Sequence, residues 1–511
     1  MKVPLTIRDH IERAALVYGN RVGIVDEPDQ VAPPLEDLTY AGVLERATAF
    51  AAGIEGLGVP VGGRVAIVSH NAARLLTLLY GAAGWGRVAV PINFRLHPHE
   101  VQYIVEHSGS EVLLVDPELE EALDEVTAPR KFVIGPDSDE LLHPIGVDPT
   151  PWEPDEDATA TINYTSGTTA RPKGVEMTHR NLWVNAATFG WQAGVNDRDV
   201  YLHTLPMFHC NGWGMPFAVA GMGVPQIVLR KVDGAEILRR VDRHGVTFMC
   251  AAPAVVSMVL DAAATWDGEI PGRDRVRIIV AGAPPPTRVI ERVETELGWE
   301  FIQIYGLTET APLLTMNRRR SEWDELTPAQ RASKLVRAGA PALGIRMRVD
   351  EEGELLARGN VILKSYWNQP EETEAALDGG WFHTGDGGYI DDDHYVTIQD
   401  RKKDVIISGG ENVSSIEVED TLFSHPDVAE VAVIGVPDEK WGETIKALVV
   451  LVPGSTTTEE DLMAHCKATI ARYKCPTSIE FRDELARTAT GKLQKFKLRE
   501  PYWADRVRQV N

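Results

Sequence analysis

Long apolar runs are missing from this chain: no stretch of 18 or more apolar residues occurs, which excludes a hydrophobic helix of membrane-spanning length. Cysteine is scarce. The four present, Cys210, Cys250, Cys466 and Cys475, make no CxxC pair and no zinc-like spacing with histidine. A disulfide scaffold and a structural zinc site are thereby disfavoured, and buried reduced thiols are expected. Positive charge is in deficit, 51 Lys+Arg against 75 Asp+Glu, for a net charge of -24. That balance disfavours nonspecific binding to nucleic acid or an anionic membrane. It also repels polyphosphates at long range, so any phosphorylated ligand must be held by local clusters of Lys, Arg and N–H groups. Internal repeats and low-complexity tracts are absent. The first residues, MKVPLTIRDHIERAAL, carry charges where an export signal needs its apolar region, and a cytoplasmic protein is expected.

With 511 residues the chain exceeds what one hydrophobic core usually organises, so at least two domains are expected. Hydrophobic and charged contents of 44% and 25% are those of a globular protein. From Arg64 onward, short apolar runs alternate with helix-period segments: RVAIVSH, then AARLLTLLYGAAGWG, VAVPI, HPHEVQYIVEHS and VLLV, continuing through QIVL, AEILRRVDRHG, TFMCAA and RVRIIVAG. Strands alternating with helices predict an α/β protein, its sheets mostly parallel and covered by helices. Acidic, glycine-rich turns between short strands occupy Gly379 to Lys403. A smaller α+β unit follows, with AEVAVIGVP and IKALVVLVP as strands and a helix in TTEEDLMAHCKATIARY, where Thr457 and Glu460 fit a capping box. The boundary is placed near Asp400 to Asp404, giving domains 1–402 and 403–511.

One stretch stands out, YTSGTTARPKG from Tyr164 to Gly174, with Thr178 beyond it suited to cap a helix. Thr165, Ser166, Gly167, Thr168 and Thr169 bring hydroxyls and approachable backbone N–H groups to one small volume, with the Lys173 ammonium behind them. A polyphosphate needs such a set of donors. Composition alone favours an ordinary surface loop, and the spacing is not that of the P-loop, since Lys173 precedes Gly174. The rest of the chain reverses that balance. YGLTET, Tyr305 to Thr310, follows the apolar run EFIQI, and the carboxyl end of a parallel strand faces the crevice where open α/β sheets bind ligands. There Tyr305 suits a purine face and Glu309 suits Mg2+. AGAPPP, Ala281 to Pro286, ends another strand; HTGD, His383 to Asp386, puts a carboxylate suited to vicinal hydroxyls fifteen residues before Arg401. Taken singly, YGLTET and HTGD read more readily as structural turns, while in AGAPPP a stiffened turn and a close approach to a flat ring are compatible.

Taken together and in this order, the motifs resemble those of the adenylate-forming superfamily, in its acyl-CoA synthetase branch. The resemblance covers most of the chain. It implies that Thr165 to Thr169 and Lys173 hold ATP phosphates, that Gly282, Ala283, Pro284, Tyr305, Gly306 and Thr308 surround the adenine, and that Asp386 and Arg401 hold the ribose. Thr165 and Glu309 are implied for Mg2+. In ARTATGKLQKFKLR, Lys492 matches the family's adenylation lysine, while Lys495, Lys497 and Arg499 read as a solvated helix face. Asp400 to Glu419 matches the hinge segment: Lys403 is the implied hinge of a mobile small domain, Gly409 and Gly410 the approach to the pantetheine arm of CoA, and Trp441 a neighbour of that arm. In PMFHCNGWG, His209 matches the position beside the substrate carboxylate and Trp213 an acyl-tunnel gate, whereas Phe208 reads as core. Met215 to Leu229 fits an acyl-pocket wall or a buried sheet edge.

The implied reaction is ATP-dependent formation of acyl-AMP and pyrophosphate, then of acyl-CoA and AMP. Lys492, Thr165, Glu309 and His209 are its implied catalytic residues. ATP, Mg2+, CoA and a small carboxylic acid are the implied ligands, the acid being a medium or long fatty acid or a bulky or aryl one. Transfer to a carrier-protein thiol is the alternative, a silent nucleotide-binding scaffold is the rival from another class, and homodimerisation stays open. Two departures stand. Ala486 replaces the family's usual proline six residues before Lys492, predicting a freer backbone and weaker recognition by a lysine acetyltransferase that reads the proline form. The hairpin in RMRVDEEGELLARGNVILKSYWN is short, and Ser365 stands where glycine is usual.

Overall fold

A computed structural model describes residues 1–165, 172–282, 285–401, 404–408, 411–438, 441–487 and 493–503; the side chains of Asp400, Arg401, Ile407, Glu411, Asn412 and Gly442 are not described. The alternation of strands and helices becomes two large sheets in the first part of the chain. One is seven-stranded, in the order Ser365–Tyr366, Lys173–Thr178, Thr159–Thr165, Val88–Ile92, Arg64–Val68, Ser110–Val115, Arg130–Val133. The other is nine-stranded and runs from Ala340–Pro341 through Leu313–Asn317, Glu300–Gly306, Arg277–Val280, Phe248–Ala251, Tyr201–His203 and Gln226–Val228 to Val22–Val25 and Leu38–Thr39. Their interiors are parallel, as the helical crossovers require; antiparallel pairs close both edges of the nine-stranded sheet and one edge of the seven-stranded one.

The helix Ala73–Gly84 explains how the two sheets share a core. It is apolar nearly all round, and each of its twelve residues is buried. A single cluster contains Leu75, Leu76 and Leu79 from it, Val65 and Ile67 from the seven-stranded sheet and Tyr201 and Val228 from the nine-stranded one. Burying a Leu or Phe side chain contributes about 1.5–3 kcal/mol, so each such residue in this layer adds appreciably to the large domain's stability. At the carboxyl ends of the strands the sheets are stapled by polar groups. Arg230 pairs with Asp116 at 2.6 Å, both nearly inaccessible. The Asn71 amide donates to the carbonyls of Leu205 (2.8 Å), Leu229 (3.2 Å) and His203 (3.3 Å) and accepts from Met207 N–H (2.9 Å). These bonds fix the rim on which the candidate site is built.

The glycine-rich acidic turns belong to an element that the α/β alternation does not announce, a four-stranded antiparallel sheet of Arg346–Val349, Glu354–Arg358, Phe382–Ile390 and Val396–Arg401. After it comes a small five-stranded sheet built on the long hairpin Val428–Asp438 and Gly442–Leu451, with its own core around Val433, Ala447 and Leu462. Its helix Glu459–Thr469 is capped one residue later than the sequence suggests: Thr458 and Asp461 form the box, because the Thr457 hydroxyl is engaged by Asp427.

One further expectation is corrected. Lys495 and Arg499 are not solvated: they pair with Glu419 (2.8 Å) and Asp404 (2.9 Å) and dock the helix Lys495–Trp503. Lys497 alone of the three stays exposed. The Ala486 carbonyl accepts from Gln494 N–H at 2.8 Å beside an Arg487–Leu493 bridge. All four cysteines are buried and unpaired by disulfides, as expected.

Candidate active site

The hairpin Thr159–Thr165 and Lys173–Thr178 carries the phosphate-type loop. Thr165 stands opposite Lys173 across it, so strand pairing alone brings a half-buried hydroxyl and an ammonium to the two ends of the loop. Ser166, Gly167, Thr168 and Thr169 lie outside the described residues. Thr178 caps the following helix His179–Ala193 through a box with Asn181. The Lys173 ammonium forms an ion pair with Glu372 and lies 5.1 Å from the centre of the Tyr366 ring.

Tyr305 and Glu309 emerge at the end of Glu300–Gly306 as the sequence indicated. Gly306 is obligatory there, because a Cβ would sit 1.5 Å from the Pro312 carbonyl oxygen. Thr308 and Glu309 form a short 3-10 turn in which Thr308 is buried and Glu309 half-buried. Tyr366 donates its hydroxyl to Glu309 Oε1 at 2.9 Å, and Leu363 N–H donates to the Glu309 carbonyl at 2.7 Å. Burial, with the Glu309 charge beside it, raises the Tyr366 phenol well above its ordinary range, so it stays a donor.

The adenine and ribose candidates meet directly. Tyr305 donates its hydroxyl to Asp386 Oδ2 at 2.8 Å, eighty-one residues away in sequence. Asp386 faces Arg401 across the antiparallel pair. A bulge aims Asp386 inward: Gly385 has φ +72°, its N–H donates to Glu354 Oε1 (2.8 Å), and the Thr384 hydroxyl donates to Leu355 O (2.6 Å) while accepting from Asp386 N–H (3.1 Å). Asp350, Glu354 and His383 bring ligand-type atoms within 4.8 Å of one another. Their visible work is to hold this bulge, Asp350 Oδ1 accepting from Glu352 and Glu354 N–H and His383 Nδ1 lying 3.2 Å from Glu354 Oε2. Gly282 has φ +101° at the end of its strand. Ala283 and Pro284 lie outside the described residues, as do Lys403, Gly409, Gly410 and Lys492. Trp441 is half exposed.

On the acid side, His209 is half-buried and opens a segment that sequence reasoning missed. Cys210, Asn211, Gly212, Trp213 and Gly214 all have positive φ, between 47° and 74°, forming a left-handed turn of five residues. For non-glycine residues that conformation costs about 1–2 kcal/mol each, so surrounding bonds must hold it. At its start the buried amides of Asn163 and Asn211 exchange hydrogen bonds (3.1 and 3.2 Å), and Asn211 also donates to Thr161 Oγ1 (3.1 Å). At its end Asn185, fully buried, donates to Trp213 O and accepts from Leu313 N–H, both at 3.2 Å. Trp213 is 5% exposed and Phe208, as expected, is core, packed edge-on against Phe94 at 5.4 Å. Met215 to Leu229 becomes the helix Met215–Gly221 and the strand Gln226–Val228, which is interior rather than a sheet edge. Only the Asn-Gly in the turn hints at left-handed backbone; the asparagine anchors come from distant strands and helices and leave no local signal.

A half-buried carboxylate oriented by a phenol is an oxygen donor of the kind that suits Mg2+. With an ammonium, a tyrosine face and a ribose-type carboxylate on the same rim, the arrangement suits a nucleoside polyphosphate. Comparison with known proteins agrees. The family model described as AMP-binding enzyme matches residues 11–367, and that described as AMP-binding enzyme C-terminal domain matches residues 417–492. The chain is 36% identical to a 2-methylpropanoate–CoA ligase of Humulus lupulus, over 97% of this chain and 95% of that one. It superposes on the o-succinylbenzoate CoA synthetase of Bacillus subtilis in complex with its acyl-adenylate intermediate with a TM-score of 0.82, at 30% identity, covering 96% of this chain and 97% of that one. A second structure of that enzyme, in complex with ATP and a magnesium ion, gives a TM-score of 0.80 at 28% identity, covering 96% of this chain and 99% of that one.

Proposed function

Because the chain belongs to the AMP-binding enzyme family and is an acid–CoA ligase using ATP and CoA, we propose that it activates a compact aliphatic carboxylic acid as its acyl-AMP and passes the acyl group to CoA. The observation that carries the reading is the convergence of Lys173, Glu309, Tyr305 and Asp386, drawn from four separate elements, on one rim. The preference for a compact acid rests on the 2-methylpropanoate ligase relative and on the bulk of Trp213 and Phe208 buried on the acid side. It departs from the expectation of a medium or long fatty acid or a bulky or aryl one.

In this reading Tyr305 and Gly282, with Ala283, Pro284, Gly306 and Thr308, enclose the adenine, and Asp386 and Arg401 hold the ribose hydroxyls. Thr165 to Thr169 and Lys173 hold the phosphates. Glu309 and Thr165 would hold Mg2+, which would supply neutralisation of the phosphate charge. His209 and the turn behind it orient the acid carboxylate for in-line attack on the α-phosphorus. The carboxylate oxygen forms the new P–O bond, the bond to the bridging oxygen breaks, and pyrophosphate leaves with the electron pair. Lys492 offsets the meeting of two anions. The small domain, residues 403–511, then turns about Lys403 and brings Gly409, Gly410 and Trp441 to the pantetheine arm. The thiol, losing its proton, attacks the acyl carbonyl, and AMP leaves. Acceptance of the acyl group by CoA is favoured over a carrier protein by the CoA-ligase relatives, and the compartment proposed is the cytoplasm.

The test is mass-spectrometric product analysis with ATP, Mg2+ and a graded panel of carboxylic acids, with and without CoA. Acyl-CoA from two- to six-carbon acids is the expected product. Acyl-CoA only from long-chain or aryl acids would overturn the compact-acid reading, and acyl-AMP accumulating despite CoA would move the acceptor to a carrier protein.

A further inference from the structure

Tyr366 is not among the residues that motif reading selects, yet its side chain reaches both Glu309, assigned to Mg2+, and Lys173, assigned to the phosphates. It lies on the two-residue strand Ser365–Tyr366, which extends the edge of the phosphate-loop hairpin by pairing with Val175 and Glu176. The chain around it is tied at several points. Leu363 N–H bonds the Glu309 carbonyl (2.7 Å), Lys364 N–H the Glu176 carbonyl (3.0 Å) and Trp367 N–H the Gly174 carbonyl (2.8 Å), while Tyr366 N–H bonds Thr373 Oγ1 (2.9 Å). Thr373 sits in the helix Pro370–Ala376, which also supplies Glu372 to Lys173. From this fixed backbone the phenol reaches Glu309 Oε1 at 2.9 Å, and its ring lies 5.1 Å from the Lys173 ammonium.

We propose that Tyr366 is a positioning residue for the loading of metal-bound ATP, its hydroxyl setting the direction of the Glu309 carboxylate and its ring seating the Lys173 ammonium. The two contacts have separable consequences. The hydroxyl acts through Glu309, hence only on nucleotide that carries a divalent cation. The ring acts through Lys173 by attraction of a cation to an aromatic face, hence on nucleotide with or without metal. The inference rests on the reading above, that Glu309 faces Mg2+ and Lys173 faces phosphate.

Tyr366→Phe keeps the ring and removes the hydroxyl. Calorimetric titration of the full-length protein with ATP should show affinity in the presence of Mg2+ falling roughly 10-fold, the size of one hydrogen bond to a charged group, with affinity in EDTA unchanged. Raised Mg2+ should restore much of the acyl-AMP formation rate, and conversion of supplied acyl-AMP to acyl-CoA should match the wild type. Tyr366→Leu should additionally weaken binding of metal-free ATP. Unchanged MgATP affinity in the Phe variant, or equal losses with and without metal, would overturn the proposal, and the Phe comparison decides it even where the Leu variant fails to fold. Wild-type protein that binds ATP no better with Mg2+ than without would overturn the assignment of Glu309 beneath it, a result distinguishable because it is read before any substitution.

Discussion

The nucleotide side and the acid side of this site are held by different forces. On the nucleotide side charged groups have polar partners on other elements: Lys173 with Glu372, Glu309 with Tyr366, Asp386 with Tyr305. These side chains are mostly half-buried, and their partners can be exchanged for a ligand at modest cost. The acid side is held by strain opposed by burial. Five residues in left-handed conformation are locked by asparagine amides that are almost wholly inaccessible. Strain of this kind persists only where the surroundings over-determine it. The difference teaches that one half of the candidate site is built of contacts a ligand can displace, while the other is built of backbone fixed by buried amides.

Substitutions sharpen that contrast. The largest effect belongs to the nucleotide side: Glu309→Gln should lower the rate of acyl-AMP formation about 100- to 1000-fold, as loss of a preorganised electrostatic group does, with little change in unfolding free energy. Equal loss in the conversion of supplied acyl-AMP would break the assignment. On the acid side the order reverses. Asn211→Ala, which strands buried amide partners and puts Ala in left-handed backbone, should cost about 3 kcal/mol in urea unfolding. Asn211→Gly, free of the backbone penalty, should cost about 1 kcal/mol less. Identical costs would mean that the turn stores no strain.

A third effect is set by pH. His203, in the strand that leads into the acid-side segment, has its pKa lowered to about 4 by burial, a shift partly offset by its bond to Gln226. A histidine whose folded pKa lies below its unfolded value of about 6.5 is neutral in the native state, so the unfolded chain takes up the proton first. Its contribution is therefore complete above about pH 6.5 and is lost as pH falls toward about 4. His203→Gln should flatten the stability profile by about 2 kcal/mol between about pH 7.5 and 5; parallel profiles would contradict this. The smallest effect is expected at Ser365→Gly. The Ser365 hydroxyl bonds Glu176, but that carboxylate keeps Thr159 and Lys364. A cost below about 1 kcal/mol and unaltered ATP affinity are expected from melting and titration.

The nucleotide side was largely legible because its groups lie in contiguous motifs at strand ends. Tyr305 and Glu309 sit four residues apart, and Asp386 and Arg401 meet through a simple hairpin register. Tyr366 escaped notice because its role depends on a two-residue strand whose partner lies 190 residues earlier in the chain. Lys495 and Arg499 looked solvated because a basic run reads as a surface face until Glu419 and Asp404 are brought beside it.

By itself the sequence determined the α/β alternation, the small second domain, the reduced cysteines and the residue types suited to ATP and Mg2+, since all of these follow from local periodicity, composition and short spacing. Only the tertiary structure decided the left-handed turn, the asparagines that hold it, the antiparallel sheet that aims Asp386 and the phenol between Glu309 and Lys173. Those features depend on which distant backbones come within hydrogen-bond reach, and pairing across a sheet or between a strand and a remote helix leaves no periodic mark along the chain.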